Sequence, residues 1–266
     1  MNDLVAAVIL GLVQGLTEFL PVSSTAHLIL VSSVLGLDPA KFGLSFDVAL
    51  HLGTALAVLL YFAGTWIGLL KDVFAGRWKM PLLVIVGTMP AAIAGVLFES
   101  TISTTLRSPL WIVAGLVIGS VIFVLAERAA RQRREIGELS FVDALMIGAA
   151  QAVALLPGVS RSGITISTGL FRDLRREEAT RFAFLLATPV ILGAGAKTLL
   201  DARKAAELFS APDVLAAGFL VSFFSGLAAV AFMVRFLRTN SLNWFIGYRL
   251  LLAALVLLAV ALGWPI

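Results

Sequence analysis

The sequence predicts an all-α polytopic membrane protein with an inverted-topology repeat, each half a re-entrant helical hairpin plus three transmembrane helices. Three observations lead to this fold class. Of the 266 residues, 60% are hydrophobic and only 14% are charged, unlike a soluble domain. Six apolar runs have the length of spanning helices, and two shorter pairs of runs are each interrupted by a polar stretch. We expect a single membrane domain over 1–266, with internal repeats of about 1–130 and 131–266.

The first predicted hairpin opens the chain. An apolar helix from Asp3 to Leu20 measures roughly 27 Å at 1.5 Å per residue, which is marginal for a full span. Proline and hydroxyl residues at 21–25 interrupt it, and a second short helix follows over about Ala26 to Leu35. Non-helical backbone at membrane depth is tolerated only inside protein or beside a wet cavity, so these two arms predict a re-entrant hairpin.

Six longer runs, each near the roughly 20 residues that a spanning helix needs, follow in the chain. They cover about Leu44–Leu70, Pro81–Phe98, Pro109–Ala126, Ala179–Leu200, Val214–Phe236 and Leu242–Leu262. Between the third and the fourth run lies a second interrupted pair, Phe141–Leu170. The predicted order is hairpin, three spans, hairpin, three spans.

Short matches between the two hairpins indicate the repeat. Gly11-x-x-Gln14 corresponds to Gly148-x-x-Gln151, and Val22-Ser23 corresponds to Val159-Ser160. Because three spans is an odd number, the second half is expected to be inverted relative to the first. Broken helices that meet near the midplane are typical of such repeats.

Basic residues concentrate on one side of the predicted spans, and that side is expected to be cytoplasmic. They are Lys71, Arg77, Lys79, Arg128, Arg131, Arg133, Arg134, Arg172, Arg175, Arg176, Arg181, Arg235 and Arg238. The other side carries Lys41, Arg107, Lys197, Arg203 and Lys204. The first hairpin then enters from outside and the second from inside. These loops account for the net charge of +4, which therefore does not indicate nucleic-acid binding.

Glu18 is a carboxylate in an apolar helix without a basic neighbour in its own segment. It requires a partner from elsewhere, a proton or a cation. Gln14 shares its helix face, and Ser24 and His27 share a face of the second arm. Ser23 and Thr25 lie beside Ser24. They either cap the second helix or, as candidate ligands, bind phosphate.

Arg161 stands in the second polar break. Pro157 and Gly158 cannot continue a regular helix, so the preceding helix is expected to end at Pro157. Ser160 and Ser162 are good caps for the next helix, which is expected to begin near Ser162. A helix N-terminus binds anions, and an arginine fork matches a phosphate. An arginine in hydrocarbon is a functional candidate by default, with snorkelling to the interface as the alternative.

Polar residues in the spans are supporting candidates. Asp47 and His51, four residues apart, form either an interhelical hydrogen bond or part of the site. Arg249 either pairs with a carboxylate or snorkels. Gln14 and Gln151 are the remaining supporting candidates.

If the two breaks meet, an acid, a hydroxyl, an imidazole and a guanidinium face one anion. These groups suit phosphoryl transfer, which needs a charge clamp, a nucleophile and a proton carrier. The substrate is expected to be partly lipid, because the site lies within the membrane. The alternative is a transporter or flippase that moves a lipid phosphate or another anion through the same inverted-repeat site.

The stretch from Gln14 to His27, QGLTEFLPVSSTAH, resembles the first signature of the undecaprenyl-diphosphate phosphatases of the BacA type, and PGVSRSGIT at 157–165 resembles the second. The stretches Phe46–Thr54 and Gly87–Ala92 are also similar to this family. The resemblance implies hydrolysis of undecaprenyl diphosphate to undecaprenyl phosphate and orthophosphate, which recycles the lipid carrier for peptidoglycan synthesis and connects the family with bacitracin resistance. It also implies the bacterial cytoplasmic (inner) membrane, with an active site open to the periplasmic side.

The same resemblance implies residue roles: Ser24 as nucleophile, His27 as its proton partner and Arg161 as phosphate clamp. Residues implied to hold phosphate oxygens are Ser23, Thr25, Ser160, Ser162 and Thr165. A divalent cation, Mg²⁺ or Ca²⁺, is the implied cofactor. Since the first acidic position of the motif is Gln14 here, the carboxylate and metal-ligand roles fall on Glu18. The expected partners are the lipid substrate and the bilayer, and no nucleic acid is expected. For the oligomeric state, a homodimer and a monomer are both open alternatives. The attack on phosphorus by Ser24 and the attack by an activated water molecule are both open alternatives.

Overall fold

The computed structural model describes residues 1–104 and 106–264, and this part of the chain is helical throughout, apart from turns and one isolated β-bridge between Arg134 and Leu174. A 3₁₀ turn covers Ile136–Glu138. The α-helices in chain order are α1 (Asp3–Phe19), α2 (Ser24–Val34), α3 (Leu44–Tyr61), α4 (Ala63–Phe74), α5 (Lys79–Leu97), α6 (Glu99–Thr104), α7 (Pro109–Ala129), α8 (Phe141–Val153), α9 (Arg161–Phe171), α10 (Arg176–Leu200), α11 (Ala202–Leu208), α12 (Pro212–Phe236) and α13 (Asn243–Ala261).

Six helices of the described chain are long and apolar enough to cross a membrane, namely α3, α5, α7, α10, α12 and α13. They correspond one to one with the six predicted runs, so the all-helical, multi-pass fold is confirmed. The predicted C-terminal boundary of the first span, 44–70, is wrong, because α3 ends at Tyr61. The chain leaves helical geometry at Phe62 (φ −100°, ψ 24°), and a separate helix, α4, begins at Ala63. Hydrophobicity continues across this bend, so the sequence does not show it.

The two interrupted pairs form α1 with α2 and α8 with α9. α8 ends at Val153, four residues before the predicted end at Pro157, because the chain tightens ahead of the proline. Leu155 N–H donates to the carbonyl of Ala152, three residues back, over 3.2 Å. A residue that precedes proline avoids the α-helical region, which favours such an early end.

Glycines let the hairpins lie very close to the spanning helices. Gly11 of α1 faces the backbone of Gly218 in α12, and Gly148 of α8 faces the backbone of Gly87 in α5. A methyl group at Gly11 or Gly148 would overlap the facing carbonyl oxygen. Close backbone approach through small residues is the usual way in which membrane helices pack. This packing holds the first hairpin against α12 and the second against α5.

Candidate active site

The first break, residues 20–23 between α1 and α2, contacts the second break and the start of α9, where the second break is residues 154–160 between α8 and α9. The backbone N–H of Gly158 donates to Ser23 Oγ over 3.0 Å, and Ser162 Oγ donates to the carbonyl of Leu20 over 3.2 Å. Ser23 (φ 75°) and Ser160 (φ 76°) both lie in the left-handed region, which is uncommon for residues other than glycine. Such strained backbone persists where the surrounding structure enforces it, and it is concentrated at functional sites.

Arg249 of α13 holds the two breaks together. Its guanidinium donates to the carbonyl of Pro21 in the first break over 3.0 Å. It also donates to the carbonyls of Gly158 (2.9 Å) and Val159 (3.2 Å) in the second break. The side chain is completely buried, and within the described chain it forms no ion pair with a carboxylate. Both predicted alternatives, a carboxylate partner and snorkelling, are therefore wrong, because backbone carbonyl dipoles hold this charge instead.

Glu18 is the centre of the polar cluster. One carboxylate oxygen accepts a hydrogen bond from the guanidinium of Arg161. The other accepts from Ser24 Oγ over 2.6 Å and from Gln14 Nε2 over 3.0 Å. The carboxyl group is buried. The partner that Glu18 requires is thus the arginine of the other hairpin, 143 residues further along the chain.

His51 of α3 is the fourth contact of Glu18. Its Nε2 lies 3.3 Å from Glu18 Oε2, and its Nδ1 lies 2.7 Å from the carbonyl oxygen of Asp47. A carbonyl oxygen only accepts, so Nδ1 carries a proton, and Nε2 is the ring nitrogen that faces the Glu18 carboxylate. The Asp47 carboxylate pairs with Arg107 over 3.0 Å. His51 therefore enters the site directly, and Asp47 orients it.

A cavity of about 540 Å³ opens beside these groups. Predicted site residues that line it are Glu18, Ser23, Ser24, Thr25, Asp47, His51, Gln151, Ser160 and Arg161. Much of the remaining wall is apolar and comes from α5 and α10, including Ala91, Val96, Val190 and Ile191. A pocket of this size, with a polar end and an apolar wall, suits an anionic group attached to a hydrocarbon.

The model of a protein family described as bacitracin resistance protein BacA matches residues 7–255 of the chain. The chain belongs to the BacA family. Curated relatives named undecaprenyl-diphosphatase are similar to it over almost the whole length. The relative from Rubrobacter xylanophilus is 47% identical, over 96% of this chain and 98% of that protein. Those from Thermodesulfovibrio yellowstonii (42% identical, 97% and 98% covered) and Mycobacterium ulcerans (45%, 96% and 95%) agree with it.

His27 of this BacA-family chain is held by partners other than the Glu18 carboxylate. Its Nδ1 is 2.7 Å from the carbonyl oxygen of Ser23, and its Nε2 is 2.6 Å from the hydroxyl of Tyr248. Both nitrogens are engaged, while Ser24 Oγ donates to Glu18. The role of His27 as proton partner of Ser24 stays a prediction. Tyr248 was not predicted, although a tyrosine next to an arginine in an apolar span is a signal that could have found it.

Three other predicted groups of the BacA site lie behind the cavity wall. Thr165 Oγ1 donates to the carbonyl of Arg161 over 2.7 Å, and Ser162 Oγ lies 3.2 Å from Ser160 Oγ. Gln14 reaches the site only through its hydrogen bond to Glu18. These residues support the side chains that line the cavity.

Proposed function

We propose that this protein hydrolyses undecaprenyl diphosphate to undecaprenyl phosphate and orthophosphate, and so recycles the lipid carrier for peptidoglycan synthesis. Membership of the BacA family and the names of the relatives support this activity. Within the chain, the supporting observation is the Ser24 hydroxyl, which donates to Glu18 while Arg161 contacts the same carboxylate from the other hairpin. A hydroxyl, a proton acceptor and a guanidinium group that suits a phosphate thus line one cavity among the apolar helices. A transporter would have no need of the paired hydroxyl, so the hydrolase is favoured.

In the proposed reaction the guanidinium of Arg161 donates hydrogen bonds to the oxygens of the terminal phosphate in place of part of its contact with Glu18. Its planar set of N–H donors matches two phosphate oxygens. Glu18 then accepts the proton of Ser24 as the serine oxygen bonds to phosphorus, and the bond from phosphorus to the bridging oxygen breaks. Undecaprenyl phosphate leaves, and water later releases the serine-bound phosphate. In the alternative route Ser24 orients a water molecule, whose oxygen attacks and whose proton goes to Glu18. His51 donates to the carboxylate in either route.

The hydroxyls that we propose as phosphate ligands differ in position. Those that line the cavity are Ser23, Thr25 and Ser160. Ser162 and Thr165 lie one layer behind, and we propose that they position Ser160 and Arg161, which they contact. We also propose that His27, fixed by Tyr248, holds the Ser23 carbonyl and thereby the start of α2.

A divalent cation, Mg²⁺ or Ca²⁺, is part of the proposal. Hard cations prefer oxygen ligands and often take several from substrate phosphates. The described residues contain no cluster of three His, Cys, Asp or Glu, so the diphosphate itself would supply most ligands. Glu18, whose carboxylate lines the cavity, fits as the protein ligand. When bound, the cation would neutralise negative charge on the diphosphate.

We further propose the inverted-topology repeat over 1–130 and 131–266, within one domain. The matching left-handed serines, Ser23 and Ser160, support it, as do the matching glycine contacts of α1 with α12 and of α8 with α5. The distribution of basic loops supports an orientation with the cavity open to the periplasmic side, and membership of the BacA family supports placement in the inner membrane. The homodimer stays a prediction, which the mass of the protein in detergent would test.

Orthophosphate release from undecaprenyl diphosphate by the purified protein in detergent, with Mg²⁺ or with chelator, tests the proposed activity. Ser24→Ala should lower release on the order of 100-fold or more, because the hydroxyl that exchanges its proton with Glu18 is lost. Ser32→Ala, on the same helix but outside the cavity, is the matched control. Normal release by Ser24→Ala would remove the serine from the mechanism. If the folded wild-type protein released no phosphate, the transporter would replace the hydrolase, and lipid movement in vesicles would be measured.

A further inference from the structure

Gln151 is a buried amide that the protein itself leaves without a partner. It lies in the last turn of α8 and is 1% exposed, and neither Nε2 nor Oε1 forms a hydrogen bond with any described residue. The side chain nevertheless lines the cavity that contains Glu18 and Arg161. Buried polar groups are normally hydrogen-bonded, and one that is not destabilises the fold. An amide kept at such a position therefore points to a ligand.

The corresponding residue of the first hairpin shows why Gln151 is unpaired. Gln14 Nε2 donates to Glu18, which lies four residues further along the same helix face. Four residues after Gln151 stands Leu155, whose side chain offers no acceptor. The first amide is thus occupied by its own acid, whereas the second faces the cavity.

Other unpaired polar atoms of the described chain do not share this position. Trp66 Nε1, Ser167 Oγ and Gln14 Oε1 are also buried without hydrogen bonds, and none of these residues lines the cavity. In the parts of the chain that the structure covers, Gln151 alone has both ends of a polar side chain unpaired at this surface. The feature is therefore specific to the site.

We propose that Gln151 binds the diphosphate of the substrate, with Nε2 donating to a non-bridging oxygen. A neutral amide suits the binding of diphosphate because it forms no ion pair with Glu18, whereas Arg161 does. The amide N–H group therefore stays available to the ligand. Gln151 and Arg161 both belong to the second hairpin, whereas Ser24 and Glu18 belong to the first. A phosphate held by Gln151 and Arg161 is therefore presented by one hairpin to the reacting groups of the other. The proposal rests on the proposed function, and it assigns Gln151 to binding and specificity.

Gln151→Met is the decisive variant, because methionine has a similar length and shape but no amide. We expect KM for undecaprenyl diphosphate to rise roughly 10- to 100-fold, the effect of one lost hydrogen bond to a charged ligand, with little change in kcat. Thermal stability should stay equal or increase, since an unpaired buried polar group is removed. Gln151→Glu keeps the shape but adds a negative charge, and should raise KM further. Ser167→Ala, which removes another unpaired buried group outside the cavity, should leave KM unchanged.

Inorganic diphosphate gives a second measurement that does not depend on turnover. It should raise the thermal unfolding midpoint of the wild type and of Ser167→Ala, but not of Gln151→Met. If the wild type releases no phosphate while this difference persists, the proposed activity is wrong and the binding site stands. An unchanged KM together with an unchanged diphosphate effect in Gln151→Met overturns the assignment. Should Gln151→Met fail to fold, the same two comparisons with Gln151→Glu decide it.

Discussion

Replacement of Gly115 by alanine tests whether the position of the second hairpin break controls the chemistry. Gly115 belongs to α7 and does not line the cavity. A Cβ atom at this position would lie 2.8 Å from the backbone nitrogen of Val159 and 2.9 Å from the carbonyl carbon of Gly158, and nearer still to the oxygen of Pro157. Ordinary contacts begin at 3.4 Å. The break, or α7 itself, must therefore move by roughly 1 Å, a displacement large enough to disturb a reacting geometry.

The displaced segment continues directly into Ser160 and Arg161. Overpacking of this kind destabilises a protein by about 1–3 kcal/mol, and the higher helix propensity of alanine returns up to about 1 kcal/mol. A misplacement of about 1 Å costs on the order of 100-fold in rate. We therefore expect Gly115→Ala to lose about 100-fold in phosphate release, although no group that faces the substrate has been changed. The net loss of stability should stay within about 3 kcal/mol, so that the protein still folds.

The assay is orthophosphate release from undecaprenyl diphosphate, measured beside the thermal unfolding midpoint of the same preparation. Gly247→Ala in α13 is the matched control, because no heavy atom lies within 4 Å of the added Cβ atom. It should keep normal activity and gain slightly in stability. Near-normal phosphate release by a folded Gly115→Ala protein would refute the argument that the position of the break limits the reaction.

Two further substitutions test the role of Arg249 in holding the two breaks together and the role of the cation. Arg249→Met leaves the carbonyls of Pro21 and Gly158 without this donor, and each unpaired buried carbonyl costs about 1–3 kcal/mol, so we expect a lower unfolding midpoint and little activity. An unfolding midpoint equal to that of the wild type would contradict the role of Arg249 in joining the two breaks. Gln14→Glu places a second carboxylate beside Glu18, and the two repel unless a cation or a proton intervenes. The Mg²⁺ concentration for half-maximal release should fall, and an unchanged dependence on Mg²⁺ would argue against a cation at this position.

The helices were largely predictable from the sequence, because the length of an apolar run and a polar break within it are local properties. Both pairs of short helices and all six long apolar helices appear in the predicted order, although the first long helix ends at Tyr61 and not at Leu70. The errors occur where the backbone changes direction without a change in composition, as at Phe62, or where hydrogen bonding tightens before Pro157. In both places the geometry depends on packing and hydrogen bonds that composition does not record.

The candidate site was only partly predictable. The sequence indicates that Glu18 needs a partner and that Arg161 is out of place in hydrocarbon, since each is an uncompensated charge in its own segment. Helical periodicity also places Gln14 beside Glu18, because neighbours three or four residues apart share a face. These inferences hold within one helix.

Contacts between helices depend on how the helices cross, and only the tertiary structure decides them. The sequence therefore determined which residues are too polar for the membrane, and the fold determined which of them meet. Packing joins Arg161 to Glu18, turns His51 to the same carboxylate, engages His27 with Tyr248, and directs Arg249 to backbone carbonyls of both breaks. It leaves Gln151 facing the cavity unpaired. A buried charge or amide must be satisfied somewhere, but its partner is chosen by proximity in space, which the order of residues along the chain does not specify.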